Sequence, residues 1–138
     1  MGDFKKLRAW QGARELTKDV FRVATEIKGV TGHILRDQIC RAMLSVPSNV
    51  AEGSAKSSDR EFARFVKISI GSLTELESHL IISLDLNFIR EGDYESTMKK
   101  LVEVSRMLSG LLTTLIASAE GAQRLKPKHR RSKSASGS

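Results

Sequence analysis

The stretch Gln38–Ser54, QICRAMLSVPSNVAEGS, decides the fold. It has helical periodicity, yet it contains a proline, an asparagine and a closing Glu-Gly. At about 100° per residue, Leu35, Ile39, Ala42, Met43, Val46, Asn49, Val50 and Gly53 gather on one side, which is the expected core face. Cys40, Leu44, Pro47 and Ala51 gather on a second side. Arg41, Ser45, Ser48 and Glu52 form a polar ridge. A bundle helix with one layer of neighbours needs only the first face, so the second predicts another covering surface, most economically a second subunit. Pro47 removes a backbone donor and predicts a kink, with the Asn49 amide placed to satisfy a freed backbone group.

Working outward, the same period gives three more helices. The first is predicted over about 5–27, where Leu7, Trp10, Ala13, Leu16, Val20, Ala24 and Ile27 form one apolar stripe. Gly29 and Gly32 then read as stop signals before the second helix, over about 34–53. The third is predicted over 58–87, opened by a Ser58–Glu61 capping box. Its core stripe runs through Phe62, Val66, Leu73, Leu76 and Leu80. Ile68, Ile70, Ile81, Ile82 and Leu86 lie off that stripe, and again predict a buried interface. Asp93 reads as the N-cap of the fourth helix, over about 94–118. Short links between long helices predict an all-α, antiparallel up-down-up-down bundle over residues 1–119.

The chain has 138 residues, room for one packed core, and a formal charge of +7. Residues 120–138 carry six Lys or Arg against one acid, so most of the imbalance lies there. Low hydrophobicity, Pro127 and a Ser/Gly end predict a disordered tail, either solubilising or a nucleic-acid arm. One cysteine, Cys40, excludes an internal disulfide and a multi-cysteine zinc site, and fits a reducing cytoplasm. No uninterrupted apolar run approaches the roughly 18–20 residues of a membrane span. The start has no hydrophobic signal core. No membrane partner is expected.

Catalysis needs a nucleophile, a base and electrophilic donors that converge. His33, His79 and His129 have no His or Cys partner at helical spacing, so no metal site is predicted. Cys40 reads as a packing residue, and Ser45 and Ser48 have no nearby base. There is no Gly-rich phosphate loop. The chain therefore reads as a non-enzyme without cofactor or metal. Arg41, Asn49, Glu52 and Glu77 are expected to form a structural polar network that sets helix register or subunit orientation.

Basic ridges are the main functional signal. Arg14, Lys18 and Arg22 recur on the first helix, with Glu15 and Asp19 blunting them. Lys56, Arg60, Arg64 and Lys67 mark the third, and Lys126, Lys128, Arg130, Arg131 and Lys133 the tail. Repeated around an oligomer, such ridges predict backbone-directed, salt-sensitive binding of RNA or DNA. The alternative is a protein-interaction scaffold with incidental charge.

The segments FKKLRAWQGARELTKDVF and LRDQICRAMLSVPSNVAEGSAKSSDREFARFVKISIGSLTELESHL, with the Leu-rich fourth helix, resemble the four-helix-bundle proteins of 23S rRNA intervening sequences over about residues 4–116. The most specific part runs from Gln38 to Gly53, followed by Glu61-Phe62 and Gly71–Glu77. Cys40 and Val50 depart mildly from the family's usual residues, and the basic tail is not a general family feature. The resemblance implies a homo-oligomeric ring, commonly a pentamer. It also implies kinship with the accessory variability proteins of diversity-generating retroelements, which bind nucleic acid and a reverse transcriptase. For the rRNA-associated members it implies no chemistry.

Overall fold

The structure, a computed structural model, describes residues 2–125. A short 3-10 turn, Phe4–Lys6, leads into four helices: α1 (Arg8–Ala24), α2 (Gly29–Ser54), α3 (Asp59–Asp85) and α4 (Glu91–Leu125). No strand occurs among the described residues. Each helix packs on its neighbours in sequence, and α1 closes against α4, which makes a four-helix bundle.

The core is the stripe each helix turns inward. Leu16 and Val20 of α1, Ile39, Met43, Val46 and Val50 of α2, Val66, Leu76 and Leu80 of α3, and Leu108 of α4 are fully buried. Burying a Leu, Ile or Val in this way stabilises a fold by about 1.5–3 kcal/mol each. The core face read from Gln38–Ser54 is thus the buried one, except that Leu35 and Asn49 stay half-exposed at its edges.

Later positions of α2 meet earlier positions of α3. Ser45 Oγ lies 2.8 Å from Ser72 Oγ, and Ser69 Oγ donates to the Val46 carbonyl at 2.8 Å. Gly53 sits against Phe65 and Phe62, where a Cβ would come within 2.7 Å of the Phe65 Cβ. Small residues let these two helices approach closely. Later positions of α1 likewise meet earlier positions of α4: Gly12 abuts Met107 and Val104, while Asp19 faces Lys100.

Several boundaries differ from the sequence reading. α1 ends at Ala24, and α2 begins at Gly29, five residues before position 34. Gly29 takes φ +86°, which an L residue rarely adopts, and so turns the chain into α2. Gly32 is no stop signal. It is buried, and a Cβ there would meet Ile27 Cγ2 at 2.7 Å. Only half of the expected capping box forms: Ser58 Oγ accepts from the Glu61 amide, but the Glu61 carboxylate pairs with Arg64. α3 ends in a Schellman turn, with Asn87 at φ 60° and Phe88 N–H bonded to the Ser83 carbonyl.

α4 differs most, because it starts at Glu91 and continues to Leu125. Its start is tied down by Glu26, which accepts from the Arg90 amide at 2.9 Å. Burial, and then the Asp93 carboxyl beside it, raise the pKa of Glu26. Residues 120–125, read as tail, are helix. By length and composition α4 could also cross a membrane, which the search for an uninterrupted apolar run missed because Ser, Thr and Gly interrupt it. Here Leu101, Val104, Leu108 and Leu115 of this helix are buried in the core.

Candidate functional site

The basic ridge of α1 is exposed, and two of its three cations, Lys18 and Arg22, are locally neutralised. Lys18 Nζ lies 3.2 Å from a Glu15 carboxylate oxygen, and Arg22 donates to Asp19 Oδ1 at 2.6 Å. Arg14 stacks over the Trp10 ring, 5.7 Å from its centroid. Asp19 is only 6% exposed, and Lys100 reaches across from α4 to 2.5 Å of its Oδ2. The Lys100 ammonium is the charge partner of this buried oxygen. Burial pushes the Asp19 pKa up, but Lys100 and Arg22 outweigh it and hold the carboxyl below its ordinary value.

The ridge of α3 is less neutralised. Arg64 pairs with Glu61 at 3.1 Å, and this hydrogen bond lowers the Glu61 pKa. Arg64 and Lys56 also sit over the Phe65 ring, each 5.0 Å from its centroid. Arg60 and Lys67 make no ion pair among the described residues. Both border a groove of about 1090 Å³ between the first half of α3 and the last turns of α4. Its apolar floor includes Ala63, Ile116 and Ala119, and α4 adds Arg124 to its basic rim. Arg124 escaped the sequence reading because it belonged to a segment assigned to the tail. The predicted contacts Lys126, Lys128, Arg130, Arg131 and Lys133 lie outside the described residues.

Both off-core apolar surfaces are present, on different sides of α2. Leu44 is exposed, while Cys40, Pro47 and Ala51 are half-buried. Ile68 and Ile82 are exposed on α3. Continuing the Ser45–Ser72 register places Ile34 near Ile82 and Val30 near Leu86, all four exposed. Val30, at 90% exposure, precedes the predicted start of the second helix, and Ile34, at 70%, stands at that start, so neither was placed on an apolar surface. Burial, then the negative Asp37, pushes the Cys40 thiol pKa up, which disfavours the thiolate.

Within the chain, a small polar seam between α2 and α3 is built from serines. Arg41 and Glu52 are exposed and Glu77 is half-buried, and none of the three has a side-chain hydrogen bond or ion pair among the described residues. Only Asn49 takes part: its Nδ2 donates to the Ser45 carbonyl at 2.8 Å, and lies 3.0 Å from Ser45 Oγ, which meets Ser72. The seam where two helices touch closely admits serine, not long charged side chains. Ser45, Ser69 and Ser72, small polar residues facing between stripes, were the signal available in the sequence.

Trp10 packs edge-on against Phe4, with ring centroids 5.0 Å apart, and Tyr94 is half-buried against the core. Among the described residues no three His, Cys, Asp or Glu side chains come together as a metal site. His33 pairs with Asp37, and His79 with Glu75, each along its own helix.

Comparison with known proteins agrees with the architecture. A crystal structure of a protein with unknown function from the S23 ribosomal protein family of Bacteroides thetaiotaomicron superposes with a TM-score of 0.68 at 18% identity, covering 75% of this chain and 97% of the other. At that identity the likeness speaks to fold alone. No curated protein matches the sequence. The profile of the 23S rRNA-intervening sequence proteins matches residues 5–110, most of the chain. This chain belongs to the 23S rRNA-intervening sequence protein family.

Proposed function

We propose that this protein is a non-enzymatic, cytoplasmic nucleic-acid-binding bundle that acts as a homo-oligomeric ring, most simply a pentamer. The carrying observation is the α3 ridge: Arg60 and Lys67 have no ion pair among the described residues, and Lys56, Arg64 and Arg124 add to the same basic end of the bundle. Unpaired surface cations release counterions from a phosphate backbone when they bind it, whereas the paired cations of α1 have their charge offset already. Trp10 and Tyr94 are packed rather than presented for base stacking, which favours backbone contacts that tolerate many sequences.

The helix register supports an antiparallel up-down-up-down arrangement, with α2 and α3 placed side by side. The two apolar surfaces flanking the Arg41–Glu52 ridge then suit a head-to-tail contact, in which the Cys40/Leu44/Pro47/Ala51 side of one copy covers the Ile68/Ile82 side of the next. Repetition of α3 around a ring would multiply weak phosphate contacts, and the tail cations would add to them.

The test is binding of labelled RNA and DNA by the nuclease-treated protein across a salt series, together with its solution mass. The expected result is an oligomer whose log affinity falls linearly with log salt, by about 0.7–0.9 per phosphate contact. A monomer, or an affinity indifferent to salt, would overturn this reading in favour of a protein scaffold.

A further inference from the structure

The geometry points to the α3–α4 groove as a docking site for an acidic amphipathic helix of a partner protein. This goes beyond nucleic-acid binding, and rests on the shape of the groove as well as its charge. α4 outruns α3: Ser118 Oγ donates to Asp59 in the first turn of α3, and α4 continues to Leu125. The seven further residues project about 10 Å past the start of α3. The projection supplies one wall of the groove, with Glu120, Gln123 and Arg124. Arg60, Arg64 and Lys67, on one ridge of α3, supply the other.

Between the walls, Ala63 and Ala119 keep the floor low, and Ile116 offers it an exposed apolar side chain. Small residues allow a third helix to approach to about the 8–10 Å axial spacing of packed helices. The volume, about 1090 Å³, exceeds the range of about 300–1,000 Å³ usual for small-molecule sites. A segment of protein fills such a groove better than a metabolite does.

The charge selects the occupant. The groove carries four cations, Arg60, Arg64, Lys67 and Arg124, against two carboxylates, Glu61 and Glu120, of which Glu61 is already paired with Arg64, so an acidic occupant suits it better than a basic one. A nucleic-acid backbone would use the rim but leave the apolar floor unused, and no aromatic ring lines the groove for a base to stack on. A helix with Leu-type residues on one face and carboxylates beside them uses both: its apolar face covers Ile116, and its carboxylates meet the guanidinium groups. Such a partner would compete with nucleic acid for Arg60 and Lys67.

The test uses the full chain and a fluorescein-labelled synthetic helix of about five turns, with Leu on one face and Glu on its flanks, read by fluorescence anisotropy without nucleic acid. The expected result is saturable binding, weakened by about tenfold or more when Ala119→Trp fills the floor or when Arg124→Glu reverses the rim. Circular dichroism melting checks that each variant folds, and Arg124→Glu, on an exposed site, guards against a misfolded Ala119→Trp. A Lys/Leu helix of the same length should not bind. No binding of the Glu/Leu helix by the wild-type chain would overturn the inference, as would equal binding by both variants or by the Lys/Leu helix. Loss of oligouridylate binding in Ala119→Trp, without competition by the peptide, would instead assign the groove to nucleic acid. Since the peptide titration contains no nucleic acid, its failure leaves the proposed nucleic-acid binding standing.

Discussion

The ridges of α1 and α3 look alike in sequence and differ in the fold. Both place cations at helical spacing, Arg14/Lys18/Arg22 on one helix and Arg60/Arg64/Lys67 on the other. On α1 Lys18 is matched by Glu15 and Arg22 by Asp19, while Arg14 lies over the Trp10 ring and keeps its charge; Asp19 also draws in a further cation, Lys100, from α4. On α3 only Arg64 has an ion-pair partner among the described residues, and the ridge borders a groove to which α4 adds Arg124. Spacing puts charges on one side of a helix. The neighbouring helix determines whether they remain available to a polyanion.

The largest effect should come from breaking the neutral side of this contrast. Asp19→Ala removes the buried anion between Arg22 and Lys100, and should cost about 1–2 kcal/mol in chemical denaturation, less than a fully buried pair because both cations are substantially exposed. The same change leaves two cations unmatched, so nucleic-acid affinity should rise through α1. An unchanged midpoint would show that the Asp19 cluster contributes nothing.

The cluster also carries a pH signature. The Asp19 pKa is depressed in the folded state, so its stabilisation is present above the ordinary carboxylate value and is lost as pH falls through the lowered one. Melting of the wild type against Asp19→Asn between neutral and strongly acidic pH should show the difference between them shrink on acidification. A difference that stays constant would remove Asp19 as the titrating group.

Next in size is the α3 ridge. Arg60→Ala with Lys67→Ala should weaken RNA or DNA binding by about tenfold at moderate salt and reduce the slope of log affinity against log salt by between one and two. Melting should hardly change, since both side chains are exposed. The matching double change on α1, Lys18→Ala with Arg22→Ala, should alter affinity by less than about twofold, because Glu15 and Asp19 already offset these cations. Equal losses from the two pairs would dissolve the contrast between the ridges.

The smallest effect is expected at Arg41. It stands exposed between the two apolar surfaces, without an ion pair inside the chain, so Arg41→Ala should shift stability by no more than about 0.5 kcal/mol. If that variant changes the assembly state while melting normally, Arg41 acts between copies. Normal assembly as well would remove it from any structural network.

The helices were legible because the apolar stripes are long and repeat at the helical period. Ile39, Met43, Val46 and Val50 are buried where the wheel placed them. The ends were less legible. Gly29 and Gly32 carry the same residue type, but one makes a left-handed turn and the other a close contact with Ile27, and a glycine in sequence signals either. The candidate site was half legible: Lys56, Arg60, Arg64 and Lys67 were found on α3, whereas Arg124 depended on how far α4 runs.

What the sequence determined by itself was the number of helices, the face each one buries, and the excess of apolar and basic surface outside those faces. These follow from a period that acts within one helix, between residues three and four apart. Only the tertiary structure decided which charges are matched and which are left, that Asp19 meets Lys100, that serines rather than Arg41, Glu52 and Glu77 fill the α2–α3 seam, and that α4 overhangs α3 to make a groove. Those outcomes depend on contacts between residues distant in the chain, which packing brings within a few ångströms and no local period encodes.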